Sequence, residues 1–227
     1  LSIGWAGYSA ALLSQPSAAA TATWTSQTTP NPPGASASYL TGVSCHTPVT
    51  CTAVGYSITG GASGGTITTL AERYQDGTWT IQPTPNPPGA SASYLSGVSC
   101  ASPMVCTAVG YSITAGVTTT LAERYQDGTW TIESTPVPQG ASSSYLAGVS
   151  CASPMVCPAV GQAVIGGTTM TLAERYQDGT WTIEPTPAPS GASSALAGVS
   201  CPTMVVCSAV GYTSSGGSTR TLALRRS

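Results

Sequence analysis

The side chains able to do chemistry are few in this 227-residue chain, and most recur in one phrase. Glu72, Arg73, Tyr74, Asp76 and Trp79 return as Glu123, Arg124, Tyr125, Asp127 and Trp130, and again as Glu174, Arg175, Tyr176, Asp178 and Trp181. These copies hold six of the eight carboxylates and three of the six cationic side chains, all of which are arginine. An indole or phenol ring can cover the C–H face of a sugar while neighbouring charged groups bond its hydroxyls. Trp79, Trp130, Trp181, Tyr74, Tyr125, Tyr176, Glu72, Glu123, Glu174, Arg73, Arg124 and Arg175 are therefore the candidate ligand-binding residues. The same types also serve structure: Asp caps a tight turn, Glu and Arg pair on strand faces for about 0–1 kcal/mol, and a repeated Trp fills a thin core.

Signals for catalysis are weak. Gly61-Ala62-Ser63-Gly64-Gly65 matches Gly-x-Ser-x-Gly, but it lies in a Gly/Ser-rich tip with no strand-to-helix elbow around it, and reads as a chance match. His46 has no counterpart in the other copies, where Ala101, Ala152 and Pro202 stand. Glu133 and Glu184 follow the Trp strand, yet nothing in their spacing marks the carboxyl pair a glycosidase needs. No catalytic residue, cofactor or metal is expected. The acidic pI of about 5.1, the lack of lysine and of a phosphate-binding Gly loop argue against nucleic acid and nucleotides.

The elements that must position these groups are also repeated. The cysteines form four Cys-x5-Cys pairs, Cys45/Cys51, Cys100/Cys106, Cys151/Cys157 and Cys201/Cys207, with first-cysteine steps of 55, 51 and 50 residues. An even number at one local spacing predicts four disulfides, each tying the two strands of a hairpin near its turn and contributing about 2 kcal/mol. Zinc sites prefer closer cysteines or added histidine. A period near fifty means units that bury their faces against neighbours. Phe is absent and charged residues are 6% of the chain, which predicts a thin, ordered core stapled by disulfides.

Each unit holds four short runs rich in small and β-branched residues, as in 39–45, 51–58, 66–74 and 78–82, without helical periodicity. Asp76-Gly77, Asp127-Gly128 and Asp178-Gly179 mark hairpin turns, and Pro-rich stretches such as 84–88 lead to the next unit. The expected fold is all-β: a β-propeller of four blades with four antiparallel strands and one disulfide each, the alternatives being an extended array or a β-sandwich of sixteen strands. Units run about 29–82, 83–133, 134–184 and 185–227 in a single repeat domain, 23–227. The fourth unit lacks an Asp-Gly-Thr-Trp-Thr strand, whereas Trp24-Thr25-Ser26-Gln27 matches Trp79-Thr80-Ile81-Gln82. Residues 23–28 are thus expected to close the ring, in this chain or by strand exchange with another. Residues 1–22 read as a signal-like segment or an extra strand, and no run is long enough to span a membrane.

The phrases Ser-Cys-x5-Cys-x-Ala-Val-Gly and Thr-Leu-Ala-Glu-x-x-x-Asp-Gly-x-x-Trp resemble the repeats of secreted soil-bacterial proteins with propeller-like folds and mostly unassigned function. The Asp-Gly-Thr-Trp turn also resembles, one residue shorter, the Asp-box hairpin of sialidases, a structural element there. The likeness covers 24–227 and implies fold more than activity. In the fourth unit Leu224 replaces the repeated Glu. Near-identical modules create one surface several times over, which suits avid binding of a repetitive ligand. The expectation is a secreted, non-catalytic, lectin-like domain that binds glycan or cell-wall polymer. The alternatives are an adhesive assembly subunit, joined into homo-oligomers by strand exchange, and a polysaccharide-acting enzyme.

Overall fold

The computed structural model describes residues 22–60, 65–187 and 191–227. The signal-like reading of 1–22 lies outside these residues save for its last position, as does most of the Gly61–Gly65 tip. Every regular element is a strand. The first repeat contains β1 (Ala35–Thr47), β2 (Thr50–Thr59), β3 (Thr66–Gln75) and β4 (Thr78–Gln82). The second contains β5 (Ala90–Ser102), β6 (Val105–Thr114), β7 (Val117–Gln126) and β8 (Thr129–Glu133). β9 (Ala141–Val149), β10 (Val156–Ile165), β11 (Thr168–Gln177) and β12 (Thr180–Glu184) form the third. The fourth has three strands, β13 (Ser193–Ser200), β14 (Cys207–Ser215) and β15 (Ser218–Arg226).

Each repeat is an antiparallel meander, and the predicted turn chemistry is what folds it. Asp76, Asp127 and Asp178 take φ near +48° and the glycines after them φ of +93° to +98°, the left-handed pair a two-residue hairpin demands. All four disulfides form within their pairs, with Cα–Cα distances of 3.9–4.1 Å.

Each bridge ties its hairpin near the turn, as expected, within the regular ladder in two repeats and just beyond its end in the other two. Cys45 opposes Cys51 and Cys100 opposes Cys106 in register. Cys157 bonds Cys151 as predicted, but the two do not face each other across a strand ladder. Cys157 lies on β10, whereas β9 has already ended at Val149 and Cys151 sits in the connection beyond it. Pro158 shortens the ladder here. It stands where Thr52 and Thr107 stand in the first two repeats, and its ring nitrogen has no hydrogen to donate. Its carbonyl still accepts the Ser150 N–H at 3.0 Å, so one bond of the pair survives and the regular ladder stops there. Cys157 is paired on its other side with Tyr176 of β11 and is 1% exposed, packed with Tyr176 and Trp181. In the fourth repeat Cys201 likewise falls just past β13, and its partner Cys207 opens β14.

The repeats stack with the opening strand of each beside that of the next. Only single parallel bridges, Ile67 to Ala92 and Thr118 to Ser143, join the first three repeats into one sheet, and β13–β15 form a separate sheet. Side chains between the layers do most of the joining. Val54 and Ala71 of the first repeat bury against Leu95, Val98, Ala108, Leu121, Tyr125 and Trp130 of the second. Val109 and Ala122 repeat the arrangement against the third. The Thr52 hydroxyl meets Cys106 Sγ, and the Thr107 hydroxyl meets Cys157 Sγ, each at 3.5 Å across a joint. Ser44 Oγ accepts the Cys100 N–H at 3.0 Å, Ser99 that of Cys151 at 2.9 Å, and Ser150 that of Cys201 at 3.0 Å.

Glycine sets how closely the layers approach. A Cβ on Gly42 would meet the Gly97 Cα at 3.0 Å, one on Gly97 the Gly148 Cα at 3.4 Å, and one on Gly148 the Gly198 Cα at 3.4 Å. Within each hairpin Gly55, Gly110, Gly161 and Gly211 are tighter still, since a Cβ there would collide with the carbonyl of Tyr39, Tyr94, Tyr145 or Ala195.

The expected ring closure is not what the structure shows. Residues 22–32 contain no strand, Trp24 is fully exposed, and among the described residues β15 pairs only with β14. Two local causes are visible. No Asp-Gly pair precedes Trp24 to fold it back as a hairpin, and Gln27 is held by the first repeat, accepting the Trp79 indole N–H at 2.9 Å. The result is an open stack of four meanders, the last a three-stranded one. Among the described residues no helix is long and apolar enough to cross a membrane. Gly110→Ala is expected to cost about 3 kcal/mol or more, because the colliding atoms are backbone; Gly128→Ala, where a side chain meets open space, should cost clearly less despite its positive φ. Thermal unfolding followed by circular dichroism compares the two.

Candidate functional site

The structure draws the repeated polar phrase into the joints between repeats. Trp130 and Trp181 are each 5% exposed, and Tyr125 and Tyr176 are likewise buried, each tilted against its Trp at 5.4–5.6 Å between ring centres. Arg73 reaches across to the next repeat, its guanidinium 5.2 Å from the centre of the Tyr125 ring and its Nη2 donating to Pro103 O at 2.6 Å. Arg124 does the same with the Tyr176 ring at 4.7 Å and Pro154 O at 2.6 Å. These planar cations are cross-repeat clamps, and the aromatic faces expected to meet a ligand are covered by protein. Tyr74 and Trp79 stay half-buried because no full repeat precedes them. Arg175 faces Glu184 at 3.9 Å, alongside Arg226 at 3.2 Å, where Arg226 occupies the Tyr position of the fourth repeat.

Glu72, Glu123 and Glu174 are at most 1% exposed, although the sequence suggested surface ion pairs. Both carboxyl oxygens of Glu123 and of Glu174 lack a hydrogen-bond partner. Burial pushes their pKa up to about 8, offset in part by the Thr69 and Thr120 hydroxyls of the preceding repeats. The Thr69 hydroxyl is already bonded to Thr84 Oγ1 at 2.9 Å, which limits its help. Burial raises the Glu72 pKa as well. In the fourth repeat the corresponding place against the third repeat is apolar: Leu224 packs there with Val199 and Leu196.

An open aromatic surface lies elsewhere. Tyr39 opposes Tyr56 in register across one hairpin, and Tyr94 opposes Tyr111 across the next. Their rings continue from repeat to repeat: Tyr39–Tyr56 at 5.0 Å, Tyr56–Tyr94 at 4.8 Å, Tyr94–Tyr111 at 4.6 Å and Tyr111–Tyr145 at 5.7 Å. The ladder breaks at Gln162, which opposes Tyr145, and Tyr212 stands exposed beyond it. These rings are half-buried or exposed, and among the described residues none of the five phenol hydroxyls bonds to another protein group. Partial burial and neighbouring phenols raise the pKa of Tyr94, Tyr111 and Tyr145, so all three are neutral donors and acceptors at physiological pH. Tyr56 and Tyr111 each follow a Val-Gly pair, whereas Tyr39, Tyr94 and Tyr145 lie in the opening run of their repeats. Their fixed place six residues before the first cysteine of each pair was the available signal.

No protein-family model and no curated protein matches the chain. Among solved structures it is similar to Zg3597, a family 117 glycoside hydrolase produced by the marine bacterium Zobellia galactanivorans. Identity is 8% and the TM-score 0.41, over 77% of this chain and 66% of that one, just under two thirds of its length. A likeness at this level carries no argument about activity.

The buried carboxyls make stability depend on pH. Between the ordinary pKa of 4.5 and about 8, the folded protein keeps a proton on Glu123 and on Glu174 that the unfolded chain has released. Stability therefore falls as pH rises through that window, by up to about 1.4 kcal/mol per pH unit for each group. Glu123→Gln/Glu174→Gln, which keeps a neutral side chain of the same shape, is expected to flatten the dependence and to exceed the native protein in stability at pH 9. Chemical denaturation at pH 5, 7 and 9 measures this, and parallel curves for the two proteins would contradict it.

Proposed function

We propose that the chain is an extracellular, non-catalytic repeat scaffold that binds carbohydrate polymer along its tyrosine ladder. The observation that carries the reading is the ladder itself. Five rings from three repeats make one strip parallel to the direction of stacking, with hydroxyls that no protein group uses. Because neighbouring rings cover much of each other's faces, the strip offers ring edges and a row of phenol groups. That suits hydrogen bonding to an extended hydroxyl-rich chain better than stacking on one sugar. A ligand with its own repeat would meet equivalent groups on successive units and gain avidity without any strong single contact.

Four disulfides in a chain of this size fit an oxidising environment outside the cell, as does the resemblance of the repeats to secreted soil-bacterial proteins. The Glu/Arg/Trp phrase takes a structural role in this reading, since its groups hold one repeat to the next.

Co-sedimentation and calorimetry with cellulose, chitin, xylan and peptidoglycan test the proposal. Binding to at least one polymer is expected, weakened about tenfold or more in Tyr94→Ala/Tyr111→Ala. Trp130→Ala should instead lower stability by about 3–5 kcal/mol, as an aromatic core truncation does. No binding to any of these, or binding indifferent to the double tyrosine change, would remove the ladder as the site. Release of soluble sugar would replace it with an enzymatic reading.

A further inference from the structure

Among the described residues the two ends of the stack expose complementary surfaces. At the fourth repeat, a cleft of about 300 Å³ opens between the third and fourth meanders, lined by Val160, Ala173, Leu196, Val199, Ala209 and Leu224. All but Leu224, which stands where Glu123 and Glu174 stand, correspond to the apolar groups that surround Tyr125 and Trp130 at one joint, and Tyr176 and Trp181 at the next. The rest of the lining is retained, while the Tyr position has become Arg226 and, among the described residues, no indole lines the cleft. Beside the cleft runs the edge of β15, which among the described residues is paired only with β14.

The far face of the fourth repeat is also bare. Val54, Val109 and Val160 each pack on the following repeat, but their counterpart Val210 is 54% exposed. Gly198 has no glycine in front of it, and Ser200, whose counterparts each accept a cysteine N–H from the next repeat, is exposed. The opposite end shows the matching set. Leu40 and Val43 are exposed where Leu95 and Val98 are buried, with Val43 62% exposed. Ahead of them Trp24-Thr25-Ser26-Gln27 carries the pattern of a fourth strand, and its residues are exposed.

We propose that a second copy of this chain docks head to tail, its Trp24 strand adding to β15 and its first repeat stacking on the fourth. The register follows from the pairing of β3 with β4, where Tyr74, Arg73 and Glu72 oppose Trp79, Thr80 and Ile81. In the same register Trp24 opposes Arg226, Thr25 opposes Arg225, and Ser26 opposes Leu224. The indole enters the cleft beside the Arg226 guanidinium, a cation–π partner in place of the usual Tyr. Leu40 and Val43 cover Val210, Gly42 closes on Gly198, and the Cys45 N–H reaches Ser200 Oγ, each contact repeating one already made inside the chain. The strand needs no Asp-Gly turn because it arrives from another molecule, and none precedes Trp24. Such an interface is heterologous, so copies add in series. This inference is independent of the carbohydrate reading.

Sedimentation of the full chain from about 1 µM to 1 mM tests it, together with tryptophan emission and energy transfer between separately labelled copies. The expected result is a mass that rises above 22.6 kDa with concentration, accompanied by a blue shift and by transfer between copies. Trp24→Ala and Ser26→Pro change exposed residues outside any strand, so folding should survive while association weakens about tenfold or more. A synthetic peptide of residues 22–34 should compete. A mass of 22.6 kDa throughout, or association unaffected by both variants and the peptide, overturns the proposal. So does a monomer whose emission is blue-shifted at every concentration and reverts in Trp24→Ala, because that outcome means closure within one chain. Polymer binding by the Trp24→Ala protein separates this test from that of the ladder.

Discussion

No single repeat is thick enough to have an inside, and this constraint organises the rest of the molecule. A lone meander has two apolar faces and nothing between them, so its side chains are buried only when another meander lies against each face. Ala108 and Val109 are neighbours on β6 and point to opposite sides, yet both are fully buried because the first repeat covers one and the third covers the other. Close approach of the layers makes this possible with small side chains. Gly42, Gly97, Gly148 and Gly198 bring the opening strands together, and one serine per joint bonds backbone across the gap. Stability then accrues joint by joint, and the outermost faces are left as the least satisfied parts of the structure.

The same constraint explains the cost carried by the buried acids. A carboxyl group placed in each of the first two joints is expensive to ionise, and Glu123 and Glu174 have no hydrogen-bond partner for either oxygen. They are held as neutral acids by the packing around them, while Arg73 and Arg124, next to Glu72 and Glu123 on their strands, point elsewhere and clamp the next repeat. Alternation along a strand thus splits the Glu-Arg dipeptide between two environments, one dry and one reaching Tyr and a proline carbonyl. This is also why the dipeptide reads misleadingly in sequence. Adjacent opposite charges suggest a surface pair, but on a strand covered on both sides neither of the two need meet solvent or each other.

The architecture was therefore legible where it depends on local chemistry and less so where it depends on which faces are covered. Cys-x5-Cys spacing, Asp-Gly turns and a fifty-residue period led to the hairpins, the bridges and the meanders, because each is decided within a few residues. Spacing alone did not reveal where each ladder would end, one residue earlier in the third repeat, where Pro158 lacks a donor, than in the fourth, where Ser208 pairs with Ser200. Ring closure depended on the relation between residues 23–28 and β15, about 190 positions away, and no local signal encodes that distance. The Trp and Tyr of the repeated phrase were legible as aromatic and repeated, but whether a ring packs or stays open is a property of its neighbours. The tyrosine ladder went unseen for a related reason: it pairs Tyr39 with Tyr56 and Tyr94 with Tyr111 across hairpins and then crosses between repeats, so it has no continuous trace along the chain.

The bridges have a consequence for how the protein reaches its oxidised form. Eight thiols can be joined in 105 ways, a search in which wrong partners ordinarily outnumber right ones. Here each native partner lies only six positions away, across the tip of one hairpin. The correct thiol is thus the first that any cysteine encounters as the chain emerges, and each link can form before the next pair has been synthesised. Pairing is solved by proximity in time, so little reshuffling is needed once the polypeptide is complete.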